Sequence, residues 1–118
     1  MHDSSCVFCK IIQGLLPSSI VKENEHVITI KNIDPKAPIH YLIMPKKHLV
    51  DISAFSDKDS DLGWAILKMA RDLANDEIGG FVGFNLIANN GKSAGQSVMH
   101  MHFHFIAGKN IYSGGLML

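Results

Sequence analysis

With 118 residues, 47% of them hydrophobic and 19% charged, the chain is long enough for one domain with a buried core and too apolar to be disordered. Eleven Lys and Arg balance eleven Asp and Glu, so the charge gives no electrostatic reason to expect nucleic-acid or membrane binding. No apolar run approaches the ~20 residues of a membrane span, and the first residues lack the pattern of an export signal. We therefore expect a single domain, residues 1–118, in the cytoplasm.

The N-terminal half predicts a short helix followed by three strands. Residues 8–14 have the apolar spacing of a helical turn, with Gly14 as its end. Residues 20–23 and 27–30 flank a short polar turn, which predicts a β-hairpin. Residues 41–44 form a compact apolar strand that Pro45 closes.

The C-terminal half predicts one long helix and two further strands. Ser56 is a suitable N-cap, and a helical apolar spacing follows and ends at Gly79–Gly80; its members are Leu62, Ile66, Met69 and Leu73. Residues 81–88 and 98–106 are typical of strands, with the turn-rich loop NNGKSAGQS between them. Strands arranged around one long helix predict an α+β domain with an antiparallel sheet.

The last predicted strand carries a row of histidines. In QSVMHMHFHF, residues 96–105, His100, His102 and His104 occupy alternate positions. Side chains alternate between the two faces of a strand, so the three imidazoles share one face at steps of about 6.5–7 Å. The opposite face is apolar and is expected to pack on the core through Met99, Met101, Phe103 and Phe105.

Three interpretations of this row are open. The first is a solvated strand face, and the second is a three-histidine zinc site. Three ligands on one strand spread over ~13 Å, whereas zinc needs each nitrogen at ~2.0–2.1 Å, so the second is geometrically strained. The third gives the imidazoles different roles, such as nucleophile, phosphate ligand and metal ligand. We favour the third.

The loop before the row is suited to binding a phosphate. Its glycines, Gly95 among them, allow backbone N–H groups to approach an anion closely, and Asn89, Gln96 and Ser97 add side-chain donors. A glycine-rich loop leading directly into a row of imidazoles predicts a phosphate pocket.

Cys6 and Cys9 have the spacing of half a tetrahedral zinc site. A disulfide between them would close too short a loop to stabilise the fold through chain entropy. A metal half-site, a redox pair and two cysteines without a chemical role all remain open from this spacing.

Three stretches together resemble a known family. HMHFHFI (residues 100–106) fits the signature of the histidine triad superfamily, and GQS just upstream resembles its Hint branch. DPKAPIHYLIMPKKHL (34–49) and CVFCKIIQGLLPSSIV (6–21) extend the resemblance over nearly the whole chain. It implies an α+β fold with a five-stranded antiparallel sheet, one long helix and a short N-terminal helix. It further implies a homodimer in which the sheet continues into the partner.

The resemblance also implies a purine nucleotide hydrolase that acts at the α-phosphate through a nucleotidyl-histidine. His102 would be the nucleophile, and His104 would contact phosphate oxygens. Ser97 and Gln96 would hold the phosphate and leaving group, with Asn89 and Gly95 beside them. His40 would belong to the histidine cluster behind the nucleophile. A wall for the base would consist of Phe8, Ile11 and Ile30. Asn32 stands where the family often has an Asp that grips the ribose.

Some bacterial relatives in this superfamily bind structural zinc, which maps here onto Cys6, Cys9, His48 and His100. That set takes one imidazole from the row and leaves His102 and His104 for chemistry that needs no metal. Two alternatives to the phosphoramidase-like hydrolase are a dinucleoside polyphosphate hydrolase and a zinc-stabilised nucleotide- or partner-binding module. GQS argues against the first, and an intact His102 with Ser97 argues against the second.

Overall fold

The computed structural model describes residues 3–76 and 83–116. Two helices and five strands follow one another in the order α1 (Val7–Ile12), β1 (Ile20–Glu23), β2 (Val27–Lys31), β3 (Ile39–Pro45), α2 (Ser60–Asp76), β4 (Phe84–Ile87) and β5 (Phe103–Ala107). Single 3-10 turns lie at Ile52–Ala54, Asp57–Asp59 and Lys92–Ala94. The predicted α+β fold, with a long helix and a short N-terminal one, is confirmed. Over these residues no helix is long and apolar enough to cross a membrane.

The strands form one antiparallel sheet in the order β1-β2-β3-β5-β4. The central strand β3 pairs Leu42 with Ile30 of β2 on one side and with His104 of β5 on the other. Directly paired residues point to the same face of a sheet. The register therefore places Ile30, Leu42 and His104 side by side on one face.

Two hydrophobic clusters cover the two faces of the sheet. On one face α2 packs against the strands, and the predicted apolar positions Ile66, Met69 and Leu73 are buried there. On the other face α1 contributes Phe8 and the two cysteines to a second cluster. The face that carries Ile30, Leu42 and His104 is therefore the α1 side, and its core is smaller.

The start of the long helix is fixed as predicted, with one difference in its first turn. Ser56 caps a 3-10 turn: its hydroxyl accepts from the Lys58 N–H at 3.2 Å, and its own N–H donates to Asp59 at 2.8 Å. This reciprocal pair satisfies backbone donors that a helix start leaves free. The Lys47 ammonium also contacts the Asp59 carboxylate at 2.9 Å. The predicted end at Gly79–Gly80 lies outside the described residues.

The prediction of a continuous last strand over residues 98–106 is wrong in its first half. Regular pairing begins at Phe103, opposite Ile43; residues 98–100 form a bend, and residues 101 and 102 lead to β5 without ladder pairing. There the chain is held by the Met101 N–H, which donates to the Leu49 carbonyl at 2.6 Å. The alternation of faces persists nonetheless, because Met101, Phe103 and Phe105 all join the α2-side cluster.

Met99 departs from this alternation. It is half-buried and lines a small groove with Asp3, Ser5 and His48 rather than packing in the core. The predicted strand at 81–88 is also shorter, with Phe84–Ile87 as its paired part, and residues 81 and 82 lie outside the described part of the chain.

Candidate functional site

A cavity of about 470 Å³ lies on the α1 side of the sheet. Its floor includes Ile30, Leu42 and His104, the row that the sheet register brings together. Most of the lining is apolar, and it contains the predicted base wall of Phe8, Ile11 and Ile30. The polar groups at this cavity include the predicted residues Asn32, Ser97, His102 and His104. An apolar pocket with a few convergent polar groups is the usual form of a small-molecule site.

The backbone fixes the tautomer of His102. Its Nδ1 lies 2.8 Å from the carbonyl oxygen of His100, which can only accept, so Nδ1 carries the hydrogen and donates. Burial lowers the pKa of the His102 imidazole, against the raising effect of that hydrogen bond. A neutral ring with hydrogen on Nδ1 keeps a lone pair on Nε2. His102 therefore meets the electronic requirement for a nucleophile.

His104 has the opposite tautomer, and His40 sets it. The backbone N–H of Lys36 donates to Nδ1 of His40 at 3.0 Å, so the hydrogen of a neutral His40 sits on Nε2. That Nε2–H points to Nδ1 of His104 at 2.9 Å. Because Nδ1 of His104 accepts, its own hydrogen lies on Nε2. His104 therefore offers a neutral N–H donor.

The Lys36 N–H, His40 and His104 form a hydrogen-bonded relay, and both of its imidazole rings are kept neutral. Burial, with the nearby imidazoles His102 and His40, lowers the pKa of His104 from 6.5 to about 4. Burial and the Lys36 ammonium lower the pKa of His40 as well, more than the Asp34 carboxylate raises it. At neutral pH the relay thus supplies a hydrogen bond rather than a positive charge.

A second cavity of about 320 Å³ adjoins the relay. Asn32 and His104 line both cavities, whereas His40 and Asn89 line this second one. Oδ1 of Asn32 accepts from the Asp34 N–H at 2.9 Å, which turns its Nδ2 towards Nε2 of His40 at 3.2 Å. Because Nε2 of a neutral His40 carries the hydrogen, this approach of two donors is not a hydrogen bond, and Nδ1 of His104 is the acceptor for His40. The structure therefore places Asn89 with His104 on the second cavity and not on the larger one, which Ser97 lines.

Gln96 serves the loop itself, in contrast to the predicted contact with phosphate. Its amide nitrogen donates to the carbonyls of Val50 and Val98 at 2.7 and 2.9 Å, and its Oε1 accepts from the Gly91 N–H at 2.8 Å. Both amide hydrogens are thereby used, and the side chain is buried. Gln96 positions the exposed Ser97, which lines the larger cavity.

Gly95 has a backbone conformation that explains its residue type. Its φ of +95° lies in the left-handed region, where a side chain would be strained. It ends the Lys92–Ala94 turn, and its N–H donates to the Lys92 carbonyl at 3.0 Å. It shapes the loop that leads to Ser97 and does not line either cavity.

Four potential metal ligands converge behind the first histidine of the row: Cys6, Cys9, His48 and His100. Nδ1 of His100 lies 3.4 Å from Sγ of Cys6, 3.5 Å from Sγ of Cys9 and 3.2 Å from Nδ1 of His48. Ligands at about 2.0–2.3 Å from one tetrahedral ion lie about 3.3–3.8 Å apart. These side chains therefore can hold a metal ion, and the predicted set of four is brought together.

His100 is prepared to act as a ligand. Its Nε2 donates to the Pro45 carbonyl at 2.8 Å, so its lone pair is on Nδ1, which faces the other ligand atoms. Burial raises the pKa of the Cys6 thiol. A bound cation would deprotonate this thiol and so would suit the site. Nε2 of His48 lies 3.9 Å from the Asp3 carboxylate, on the side away from the cluster.

Sequence reasoning missed the groups that set these tautomers. They are backbone atoms, the carbonyls of Pro45 and His100 and the N–H of Lys36, and residue type carries no signal for them. It also missed Leu42 in the cavity floor. Its place follows from the register of β3 against β2 and β5, which only the strand pairing defines.

The comparison with known proteins places this site in a family. Residues 13–111 match the HIT domain, the histidine triad family. The chain belongs to the HIT family. It is 37% identical over 113 residues to an uncharacterized HIT-like protein of Rickettsia prowazekii, covering 94% of this chain and 93% of that one. The protein named hit of Bacillus subtilis is 41% identical over 103 residues, 86% of this chain and 70% of its own.

Solved HIT structures share the fold. A histidine triad protein from Clostridium difficile superposes with a TM-score of 0.87 at 37% identity, covering 94% of this chain and 96% of that one. A HIT family hydrolase from Legionella pneumophila gives 0.86 at 39% identity, covering 93% and 99%. The expected membership of the histidine triad superfamily is therefore confirmed.

Proposed function

We propose that this HIT protein hydrolyses purine nucleotide derivatives at the α-phosphate, through a covalent nucleotidyl-His102 intermediate and with phosphoramidates among its substrates. One observation carries the proposal. The Nδ1–H of His102 is committed to the His100 carbonyl at 2.8 Å, which leaves a lone pair on Nε2 of a ring that lines an apolar cavity. The Legionella pneumophila relative, described as a HIT family hydrolase, supports the reaction class.

The reaction proceeds in two displacements. Nε2 of His102 attacks the α-phosphorus, the bond to the leaving nitrogen or oxygen breaks, and the leaving group takes up a proton from solvent. Water then attacks the same phosphorus and gives a proton back to solvent, the P–N bond to His102 breaks, and the nucleoside monophosphate leaves. The Nε2–H of His104 donates to a phosphoryl oxygen, where negative charge grows in the transition state. Removing such a donor typically costs ~10²–10³ in rate.

In this proposal the remaining predicted residues contact the base, contact the ribose or hold the loop in place. Phe8, Ile11 and Ile30 form an apolar wall suited to a purine, and Asn32 stands within reach of ribose hydroxyls at the edge of the same cavity. Ser97 is exposed and lines the cavity, and in this proposal its hydroxyl donates to the phosphate or the leaving group. His40 and Gln96 act through His104 and Ser97, respectively.

The metal in the second site is zinc in this proposal. Two thiolates and two imidazoles within 4.8 Å of one another are a typical tetrahedral zinc set. All four positions are taken by side chains, which is the arrangement of structural rather than catalytic zinc. The cluster joins the N-terminal segment to His48, just after β3, and to His100 in the histidine row.

A homodimer that extends the sheet at β4 completes the proposal. Within the described residues β4 pairs with β5 alone, and its four residues, FNLI, carry no charge. The other edge strand, β1, has a bulge and two charged residues, devices that discourage edge pairing. Phe84 on β4 is 43% exposed. A clean monomer mass by light scattering would contradict this arrangement.

The test is AMP release from adenosine 5′-phosphoramidate and from diadenosine polyphosphate, followed by chromatography for wild type and His102→Ala. We expect release from the phosphoramidate by wild type and none by the variant. Faster release from the polyphosphate would favour the dinucleoside polyphosphate hydrolase. Release from neither substrate, with measurable AMP binding, would replace the hydrolase by a nucleotide-binding module.

A further inference from the structure

His100 belongs to the metal cluster through its side chain and to the cavity through its backbone. Its Nδ1 faces the cysteine sulfurs at 3.4 and 3.5 Å, while its carbonyl oxygen accepts the Nδ1–H of His102 at 2.8 Å. The ring is fully buried and is anchored at its far side by the Pro45 carbonyl. Because the ring and the carbonyl belong to one residue, a displacement of the ring that moves the His100 backbone also shifts the acceptor that orients His102.

Phe8 forms a second link between the two sites. It lies in α1 between the two cysteines, and Sγ of Cys6 accepts from the Cys9 N–H at 3.2 Å to cap that helix. The Phe8 ring meets the ring of His100 edge-on at 5.9 Å and that of His102 at 5.1 Å. The same ring lines the cavity. The position of the cysteines therefore sets one wall of the cavity and one contact of His102.

We propose that His100 is a positioning residue that couples the metal site to the active site, so that metal occupancy governs the orientation of the His102 imidazole as well as the stability of the fold. The kinetic part of this inference rests on the proposed function. A purely structural metal would raise the unfolding temperature and leave the hydrogen bond of His102 unchanged. The coupling is thus distinguishable from a general stabilising effect.

The physical basis is the convergence of four electron-rich atoms. With a cation at their centre the two thiolates and two Nδ1 lone pairs are held at tetrahedral separations. Without it, Nδ1 of His48 and Nδ1 of His100, 3.2 Å apart, lose the charge that attracts both lone pairs. The side chains then relax, and the His100 carbonyl and Phe8 move with them.

The test observes His102 directly. In protein labelled with ¹⁵N-histidine, the Nδ1–H resonance of His102 is assigned by its loss in His102→Gln, and it is recorded with Zn²⁺ and after chelation. We expect chelation to shift or broaden this resonance. We also expect kcat for adenosine 5′-phosphoramidate to fall about tenfold, as for loss of one positioning hydrogen bond, with KM changed less than about threefold. An unchanged resonance with a lower unfolding temperature would overturn the coupling.

Two controls separate coupling from destabilisation and from unfolding. Ile66→Val, in the core on the α2 side, lowers stability without touching the cluster and should leave the resonance in place. If the metal-free chain unfolds, the comparison is made between protein loaded with Zn²⁺ and protein loaded with the larger Cd²⁺, because both ions keep the site filled. We expect the His102 resonance to differ between the two proteins. An identical resonance would refute the inference. If the zinc-loaded protein releases no AMP, the proposed function fails, while the resonance still decides the coupling.

Discussion

Replacing His104 by glutamine tests the neutral relay, because it removes a titrating imidazole and keeps an N–H donor of similar reach. Burial and the neighbouring imidazoles lower the pKa of His104 from 6.5 to about 4 in the folded protein. Between these two values the unfolded chain binds more protons at this position than the native protein does. Stability contributed by the neutral ring is therefore fully present above pH 6.5 and is lost as the pH falls towards 4.

The size of the effect follows from the shift. Between pH 7 and pH 5, a pKa lowered from 6.5 to about 4 corresponds to about 2 kcal/mol of lost unfolding free energy. His104 is only half-buried beside two cavities, so solvent screening reduces this to about 1 kcal/mol. Wild type should therefore lose about 1 kcal/mol more than His104→Gln over this interval.

Urea unfolding at pH 7 and pH 5, followed by the fluorescence of Trp64 and by far-ultraviolet circular dichroism, measures the difference. Both proteins are measured with the same excess of Zn²⁺, so that any acid sensitivity of the Cys6, Cys9, His48 and His100 cluster cancels in the comparison. Parallel losses of unfolding free energy in the two proteins would refute the neutral His104. A greater loss in the variant would mean that the wild-type imidazole is stabilised in its charged form.

Three further substitutions separate the roles assigned above. His40→Phe removes the donor to Nδ1 of His104, and we expect kcat for adenosine 5′-phosphoramidate to fall about 10–100-fold with AMP affinity nearly unchanged; an unaltered kcat would show that the relay does not matter. Gln96→Ala leaves two carbonyls and the Gly91 N–H without their partner, so about 2 kcal/mol of stability should be lost in denaturant titrations, together with a raised KM. If KM stays constant, the loop does not position Ser97. Ser56→Ala removes a helix cap at a cost of about 1 kcal/mol, and steady-state kinetics should not change, since the cap lies on the opposite side of the sheet.

The sequence predicted which face each residue takes better than it predicted where strands begin. Alternation of apolar and imidazole side chains correctly separated Met101, Phe103 and Phe105 from the three histidines, because that pattern depends on the local backbone alone. The start of β5 depends instead on its partners. Its pairing extends only to Phe103 opposite Ile43, and before that point Leu49 holds the chain.

The four potential metal ligands were likewise predictable only in part from the sequence. The spacing of Cys6 and Cys9 indicated half a site and left three interpretations open. His48 and His100 lie far away in sequence, and only the family resemblance connected them to the cysteines. The fold does so physically: the β3 end and the bend before β5 bring both imidazoles to the start of α1. The hydrogen bonds of the Gln96 side chain could not be predicted. Its acceptors are the backbone carbonyls of Val50 and Val98, whose positions depend on the folded loop.

Three identical side chains in one row acquire three chemical roles because each ring meets a different backbone or side-chain partner. A carbonyl at Nε2 gives His100 a lone pair on Nδ1 for the metal cluster, and a carbonyl at Nδ1 gives His102 a lone pair on Nε2 for the cavity. A donor at Nδ1 gives His104 an N–H instead. Glutamine can reproduce an N–H donor but not a nucleophilic nitrogen, so it should be tolerated at 104 and not at 102. The spacing of the row predicts that the rings lie together, and their partners determine what each ring can do.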